Sequence, residues 1–351
     1  MSGSKTLPKA KLYETTQKAE QEKICTNVRK RRHARTPEKP GNDGQGRNPT
    51  LTCYYPLDAY RQIGTGGIVF ERSSFADKPL QLACGQCCGC RIDKSKEWAA
   101  RCVHEAQMHP ENCFVTLTYD ETNVPKDGSL NKSHFQLFMK RLRKHFEGTK
   151  IRYFHCGEYG EKLQRPHYHA CLFGIDFHDR IPYSSDNDIV TDQSPTLEKI
   201  WGKGFCTVGE LNYQTAAYTA RYIMKKITGE KARDHYTRVN LQTGELTQLQ
   251  PEYVTMSLGR KRGEGLGGSF YEKYKSDFFP ADECPIPGKG VYKSVPKYYD
   301  GLLKEADPDT YAKVIERREK YRLNTAHDHT KQRLEAKHTV KQAQLSKLPR
   351  S

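Results

Sequence analysis

The stretch "IRYFHCGEYGEKLQRPHYHACLFG", Ile151 to Gly174, constrains the fold more than any other part of the chain. Two runs rich in aromatic and apolar residues, "IRYFHCGEYG" and "HYHACLFG", flank a few polar residues. Strand-forming composition on both sides of so short a connection predicts two neighbouring antiparallel strands. Side chains alternate along a strand, so His167 and His169 face one way and Tyr168 the other. Two imidazoles on one face can hold a divalent metal ion. Two solvent-facing histidines on a half-buried strand would satisfy the same spacing.

The surrounding patterns are globular. "RIDKSKEWAARCVHEAQMH", Arg91 to His109, places Trp98, Cys102 and Ala106 on one helical face. "CFVTLTYD", Cys113 to Asp120, is β-branched and aromatic and predicts a strand. "SHFQLFMKRLRKHF" predicts a helix capped by Ser133, with the apolar stripe Phe135, Phe138, Leu142 and Phe146. Its other face carries Lys140, Arg141, Arg143 and Lys144, candidates for contact with a DNA backbone. "GFCTVGEL" predicts a further strand and "TAAYTARYIMKKI", Thr215 to Ile227, a further helix. The order strand, helix, strand, strand, strand, helix predicts an α+β fold, an antiparallel sheet with helices on one face. Four regions follow: a basic, disordered arm over 1–50, a cysteine-rich segment and helix over 51–112, the α+β domain over 113–280, and a basic extension over 281–351, partly helical or disordered.

The 351 residues carry a net charge of +16, which points to a polyanionic partner, nucleic acid first. No apolar run reaches the length of a membrane span, and the N-terminus lacks the apolar core of a signal peptide. The expected setting is therefore a reducing cytoplasm, where clusters among the 12 cysteines serve metal binding rather than disulfides. Gly263, Gly265 and Gly268 match a dinucleotide fingerprint in spacing only, since no βαβ unit surrounds them. No phosphate-binding P-loop sequence is present, so strand separation would need a host motor.

Chemistry concentrates in two places. Glu158 ends the strand that pairs with the His-x-His strand, and the hairpin can bring its carboxylate to the same face. Glu161, in the connecting loop, competes for that role. Two imidazoles and a carboxylate suit Mg²⁺ or Mn²⁺ and leave positions open for substrate oxygens. On the last helix, Tyr218 and Tyr222 are four residues apart and share a face, with Lys225 on the same side. A phenol titrating near 10 is a poor nucleophile unless a metal or a lysine assists it. Aromatic packing on an amphipathic helix is the bland account of the same spacing.

Taken in order, "FVTLTYD", "GEYGEKLQRPHYHACLFG" and "AAYTARYIMKK" resemble the three motifs of HUH endonucleases, which initiate rolling-circle replication. The Tyr-x-x-x-Tyr pair resembles the two-tyrosine initiators of microviruses. With "CGQCCGCRIDKSKEWAARCVHE" included, the likeness is to replication initiators of the gokushovirus branch and runs from about Cys53 to Tyr274. The arm preceding "LTCYYPLDAY" departs from that pattern. The resemblance implies a nicking and joining domain over 113–280, with Phe114 to Tyr119 as a structural first motif. It implies His167 and His169 as metal ligands, Glu158 as the third, Tyr218 and Tyr222 as nucleophiles, and Lys225 as the motif's lysine, with Lys226 its neighbour. The implied reaction nicks and rejoins single-stranded DNA at an origin through a 5′-phosphotyrosine. The implied partners are origin DNA and the host helicase and polymerase, in the cytoplasm of a bacterial host. A plasmid relaxase or single-strand transposase of the HUH class is the enzymatic alternative. A non-catalytic, zinc-containing nucleic-acid-binding protein is the alternative from another class.

The spacing Cys84-x-x-Cys87-x-x-Cys90 suits a zinc knuckle, with Cys53 as the fourth ligand. The resemblance also carries a cysteine at Cys53. Cys88 is expected to point away. Free thiols at the start of a helix are the plain alternative.

Overall fold

A computed structural model describes residues 52–76, 78–160, 163–186, 189–225, 231–239, 244–259, 261 and 263–347. The expected basic arm lies outside these residues.

The chain enters through three short strands, β1 (Leu57–Arg61), β2 (Ile68–Val69) and β3 (Lys78–Leu82), which form a separate antiparallel sheet in the order β2-β1-β3. Helix α1 (Cys88–Ala106) follows, then β4 (Asn112–Thr118), α2 (Lys132–His145), β5 (Arg152–Tyr159) and β6 (Pro166–Phe173). Next come β7 (Ile181–Asp186), β8 (Ile189–Gln193), α3 (Pro195–Trp201), β9 (Cys206–Gly209) and α4 (Tyr213–Lys225). The chain continues through α5 (Lys231–His235), a hairpin of β10 (Thr237–Val239) and β11 (Leu246–Gln248), and β12 (Tyr253–Met256). It ends with α6 (Gly268–Phe278), the hairpin β13 (Cys284–Ile286) and β14 (Gly290–Tyr292), and helices α7 (Lys297–Ala306), α8 (Pro308–Asn324) and α9 (Lys331–Ser346).

The main sheet has seven strands in the order β12-β5-β6-β4-β9-β8-β7, with every adjacent pair antiparallel. The predicted hairpin is its β5-β6 pair. The architecture is α+β, but helices cover both faces rather than one. The reason lies in β4, which is apolar at both parities. Cys113, Val115 and Leu117 share a core with Phe135, Phe138 and Leu142 of α2 and with Leu197 and Trp201 of α3. Phe114 faces the other way, with Phe154, Cys171 and Phe173, into a core closed by Ala99 and Cys102 of α1 and Ala216 and Ala220 of α4. Small residues on both helices let α1 and α4 lie close together.

Helix α2 begins earlier than expected. Asn131, not Ser133, is its cap: the Asn131 side-chain oxygen accepts from the Ser133 backbone N–H at 3.0 Å. Arg141 is not available to DNA as expected, because it donates to the carbonyls of Ile200 (2.6 Å) and Trp201 (2.7 Å) at the end of α3. There a cation satisfies the last carbonyls and meets the negative end of the helix dipole. A third core joins α1 to the C-terminal helices through Phe270, Phe278, Tyr299, Leu303 and Val314. Among the described residues, no helix is long and apolar enough to cross a membrane.

Candidate active site

Strand register assembles the first group. Glu158 pairs across from His167, and Cys156 from His169. Phe154, Cys156 and Glu158 share one parity of β5, and His167, His169 and Cys171 the matching parity of β6. Phe154 and Cys171 belong to the core beneath α4, so the carboxylate and both imidazoles face that helix. One ligand atom from each of Glu158, His167 and His169 lies within 4.8 Å of the others.

The hydrogen bonds define what this group can accept. His167 Nε2 is 2.7 Å and His169 Nε2 2.9 Å from the same Glu158 oxygen, Oε1. His167 Nδ1 lies 3.1 Å from the carbonyl of Arg165. A carbonyl only accepts, so Nδ1 carries the proton and donates it there. A neutral His167 then turns its Nε2 lone pair toward the carboxylate, and two acceptors at that distance repel. A proton or a metal cation must lie between them, so the donor set fits a divalent ion. His169 is held from behind by the Thr116 hydroxyl, 2.9 Å from its Nδ1, and its ring lies nearly parallel to Phe114 at 5.6 Å. Burial pushes the Glu158 carboxyl up. The hydrogen bonds from His167 and His169 and their positive charge outweigh it and hold the group at about 2.

Helix α4 lies over this face. The Asn212 side chain starts it, accepting from the N–H groups of Gln214 (2.9 Å) and Thr215 (3.0 Å). Ala216 and Ala220 are buried toward the sheet, and Tyr218 beside them is half-buried. The Tyr218 ring meets His169 edge-on, with centroids 5.0 Å apart and planes at 89°. The Arg221 guanidinium lies 5.7 Å from the Tyr218 centroid. Sequence reasoning missed three features here. Thr116 and the Arg165 carbonyl were hidden in the register, and Arg221 is legible only as the residue one turn beyond Tyr218. The α4 backbone continues through Tyr222 and Lys225, whose side chains lie outside the described part of the structure, as do Lys226 and Glu161.

A second group, Cys53, Cys84, Cys87 and Cys90, gathers its four sulfurs within 4.8 Å of one another at the start of α1. Cys88 is not among them.

Comparison with known proteins places this geometry. The family of replication-associated proteins described under the name ORF2 matches residues 112–227, which run from β4 through α4. Replication-associated protein ORF2 of Spiroplasma virus 4 is 35% identical over 258 residues, 70% of this chain and 75% of the relative. Replication-associated protein VP4 of Bdellovibrio phage phiMH2K is 28% identical over 276 residues, 74% of this chain and 80% of the relative. Replication-associated protein ORF4 of Chlamydia phage 1 is 32% identical over 262 residues, 72% of this chain and 57% of the relative. No solved structure matches. The chain belongs to the family of microvirus replication-associated proteins, the rolling-circle replication initiators of these small phages.

Proposed function

We propose that this replication protein nicks and rejoins single-stranded DNA at the viral origin by tyrosine transesterification. The observation that carries the reading is the convergence of Glu158, His167 and His169 on one sheet face, with the Tyr218 ring 5.0 Å from His169. Mg²⁺ or Mn²⁺ held by the three ligands would polarise the scissile phosphate and draw off its charge. The chain's own groups do the rest. Tyr218 or Tyr222 supplies the nucleophile from a helix packed against the sheet, which limits the motion needed to reach a bound phosphate. The tyrosine oxygen bonds to phosphorus as the bond to the 3′ oxygen breaks. The phenol gives up its proton and the 3′ oxygen takes one up. The products are a 5′-phosphotyrosine and a free 3′-hydroxyl that a host polymerase extends, on strands a host helicase separates. Lys225, at the end of α4, is the cation proposed to lower the cost of the phenolate. The phosphodiester energy is kept in the covalent link, so the second tyrosine can cut the regenerated origin while the first strand is resealed. The setting for this cycle is the cytoplasm of the bacterial host.

The test is cleavage of single-stranded origin DNA. His167→Ala and His169→Ala should each lose nicking while keeping DNA affinity, which comes mostly from Lys and Arg on the phosphate backbone. Full cleavage by either variant, or by the unaltered protein with excess EDTA, overturns the metal-dependent reading.

A further inference from the structure

We propose that Cys53, Cys84, Cys87 and Cys90 form a tetrathiolate zinc site that clips the segment before β1 to the start of α1 and so builds the seat of the C-terminal helix α9. The four sulfurs come from separate places in the chain: Cys53 ahead of β1, Cys84 and Cys87 in the turn after β3, and Cys90 in the first turn of α1. Cys84 Sγ and Cys90 Sγ are 4.0 Å apart. That is far beyond the roughly 2 Å of a disulfide. It is close to the ~3.8 Å that a tetrahedron with Zn–S bonds of ~2.3 Å requires between two sulfurs.

Backbone N–H groups are aimed at these sulfurs. Cys84 N–H donates to Cys53 Sγ (3.2 Å), Tyr54 N–H to Cys87 Sγ (3.4 Å) and Cys87 N–H to Cys84 Sγ (3.3 Å). Such donors stabilise thiolates and orient them around a metal. The local glycines serve the same closure. Gly85 turns the chain at φ +73°. A Cβ on Gly89 would lie 1.7 Å from the Thr52 carbonyl oxygen, so only glycine lets the first turn of α1 touch the Cys53 segment. Four soft thiolates in tetrahedral array select zinc over the harder ion of the Glu158 group.

The clip has a downstream consequence. The Cys53 segment carries Tyr54 and Tyr55, and α9 lies against both. The His338 ring is 5.1 Å from Tyr54 and 5.2 Å from Tyr55, and the Tyr55 hydroxyl lies 2.8 Å from His338 Nδ1. The Thr52 hydroxyl donates to Asp93 of α1, a second tie at the same seam. Helix α9 itself buries little beyond Leu334, so its docking depends on how firmly this segment is held.

The experiment uses the full chain purified under reducing conditions without chelator. Elemental analysis should find about one zinc ion per chain. Replacement by Co²⁺ should give the visible absorption of a tetrahedral cobalt thiolate, saturating at one equivalent. Four thiols should be shielded from a thiol reagent until zinc is removed. Chelation should raise amide exchange across residues 331–346. Cys87→Ser should weaken metal binding and Cys88→Ser should leave it unchanged. Where Cys87→Ser fails to fold, the cobalt spectrum and thiol count of the unaltered protein decide. A folded protein without zinc, iron with inorganic sulfide in its place, or equal damage from Cys88→Ser overturns the zinc site. Unchanged exchange in α9 after chelation overturns its role as a seat.

Discussion

Thr116 illustrates what a single residue contributes to this site. It sits on β4 directly across from His169, and its hydroxyl reaches His169 Nδ1 at 2.9 Å. A partner on that nitrogen fixes the ring's orientation and leaves Nε2 turned to the centre. Thr116→Val keeps the shape and removes the hydroxyl. Mn²⁺ affinity measured by calorimetry should fall by about 10–100-fold, and Thr116→Ser should restore most of it. An unchanged affinity in the valine variant would mean that the contact orients nothing. The histidines and Glu158 were legible in the sequence because strand alternation and a short hairpin are local. Thr116 and the Arg165 carbonyl were not, because their role depends on which strand lies beside β6 and in which register.

At the scale of elements, α2 shows how pattern becomes packing. Its stripe of Phe135, Phe138, Met139 and Leu142 is buried against the sheet, while Lys140, Arg143 and Lys144 stay exposed. Leu142→Ala should destabilise the protein by about 2–5 kcal/mol in denaturant unfolding, since the site is enclosed by rings that cannot collapse into the gap. Asn131→Ala should cost about 1 kcal/mol through loss of the cap, and Ser133→Ala clearly less, because Ser133 lies inside the helix. Equal losses at the two positions would contradict the cap assignment. The strongly periodic helices and the apolar strands β4, β5, β6 and β9 could be read in advance. The strands β7 ("IPYSSD") and β8 ("IVTDQ") could not, because polar edge strands lack the apolar alternation that marks a strand. The two-sided covering of the sheet was missed for the opposite reason. A strand apolar at every position does not say which face is buried, and here both are.

At the scale of the whole molecule, the core that joins α1 to α6 and α7 makes stability depend on pH. His104 is fully buried there, stacked on Phe270 with centroids 4.4 Å apart. Its Nε2 donates to the Pro285 carbonyl and its Nδ1 accepts from the Tyr299 hydroxyl, each at 2.8 Å. Burial holds the imidazole down at about 4, despite the Pro285 hydrogen bond, with Arg101 adding to the fall. In the unfolded chain it titrates near 6.5, so below that pH the unfolded state binds the extra proton. The contribution is therefore complete above pH ~6.5 and is lost as pH falls toward ~4. Between pH ~7.5 and ~5 the unaltered protein should lose about 2 kcal/mol more than His104→Gln in denaturant unfolding. Parallel pH profiles for the two proteins would contradict this.

The central claim concerns the two tyrosines on α4, and the most direct measurement is the covalent adduct itself. Single-stranded origin DNA is incubated with the protein and Mn²⁺. The adduct is isolated under denaturing conditions and the modified residue mapped by mass spectrometry. The account predicts a 5′-phosphotyrosine at Tyr218 or Tyr222, reduced adduct with either single Phe variant, and none with Tyr218→Phe and Tyr222→Phe combined. An adduct that survives in the double variant, or that maps to another residue, would contradict it.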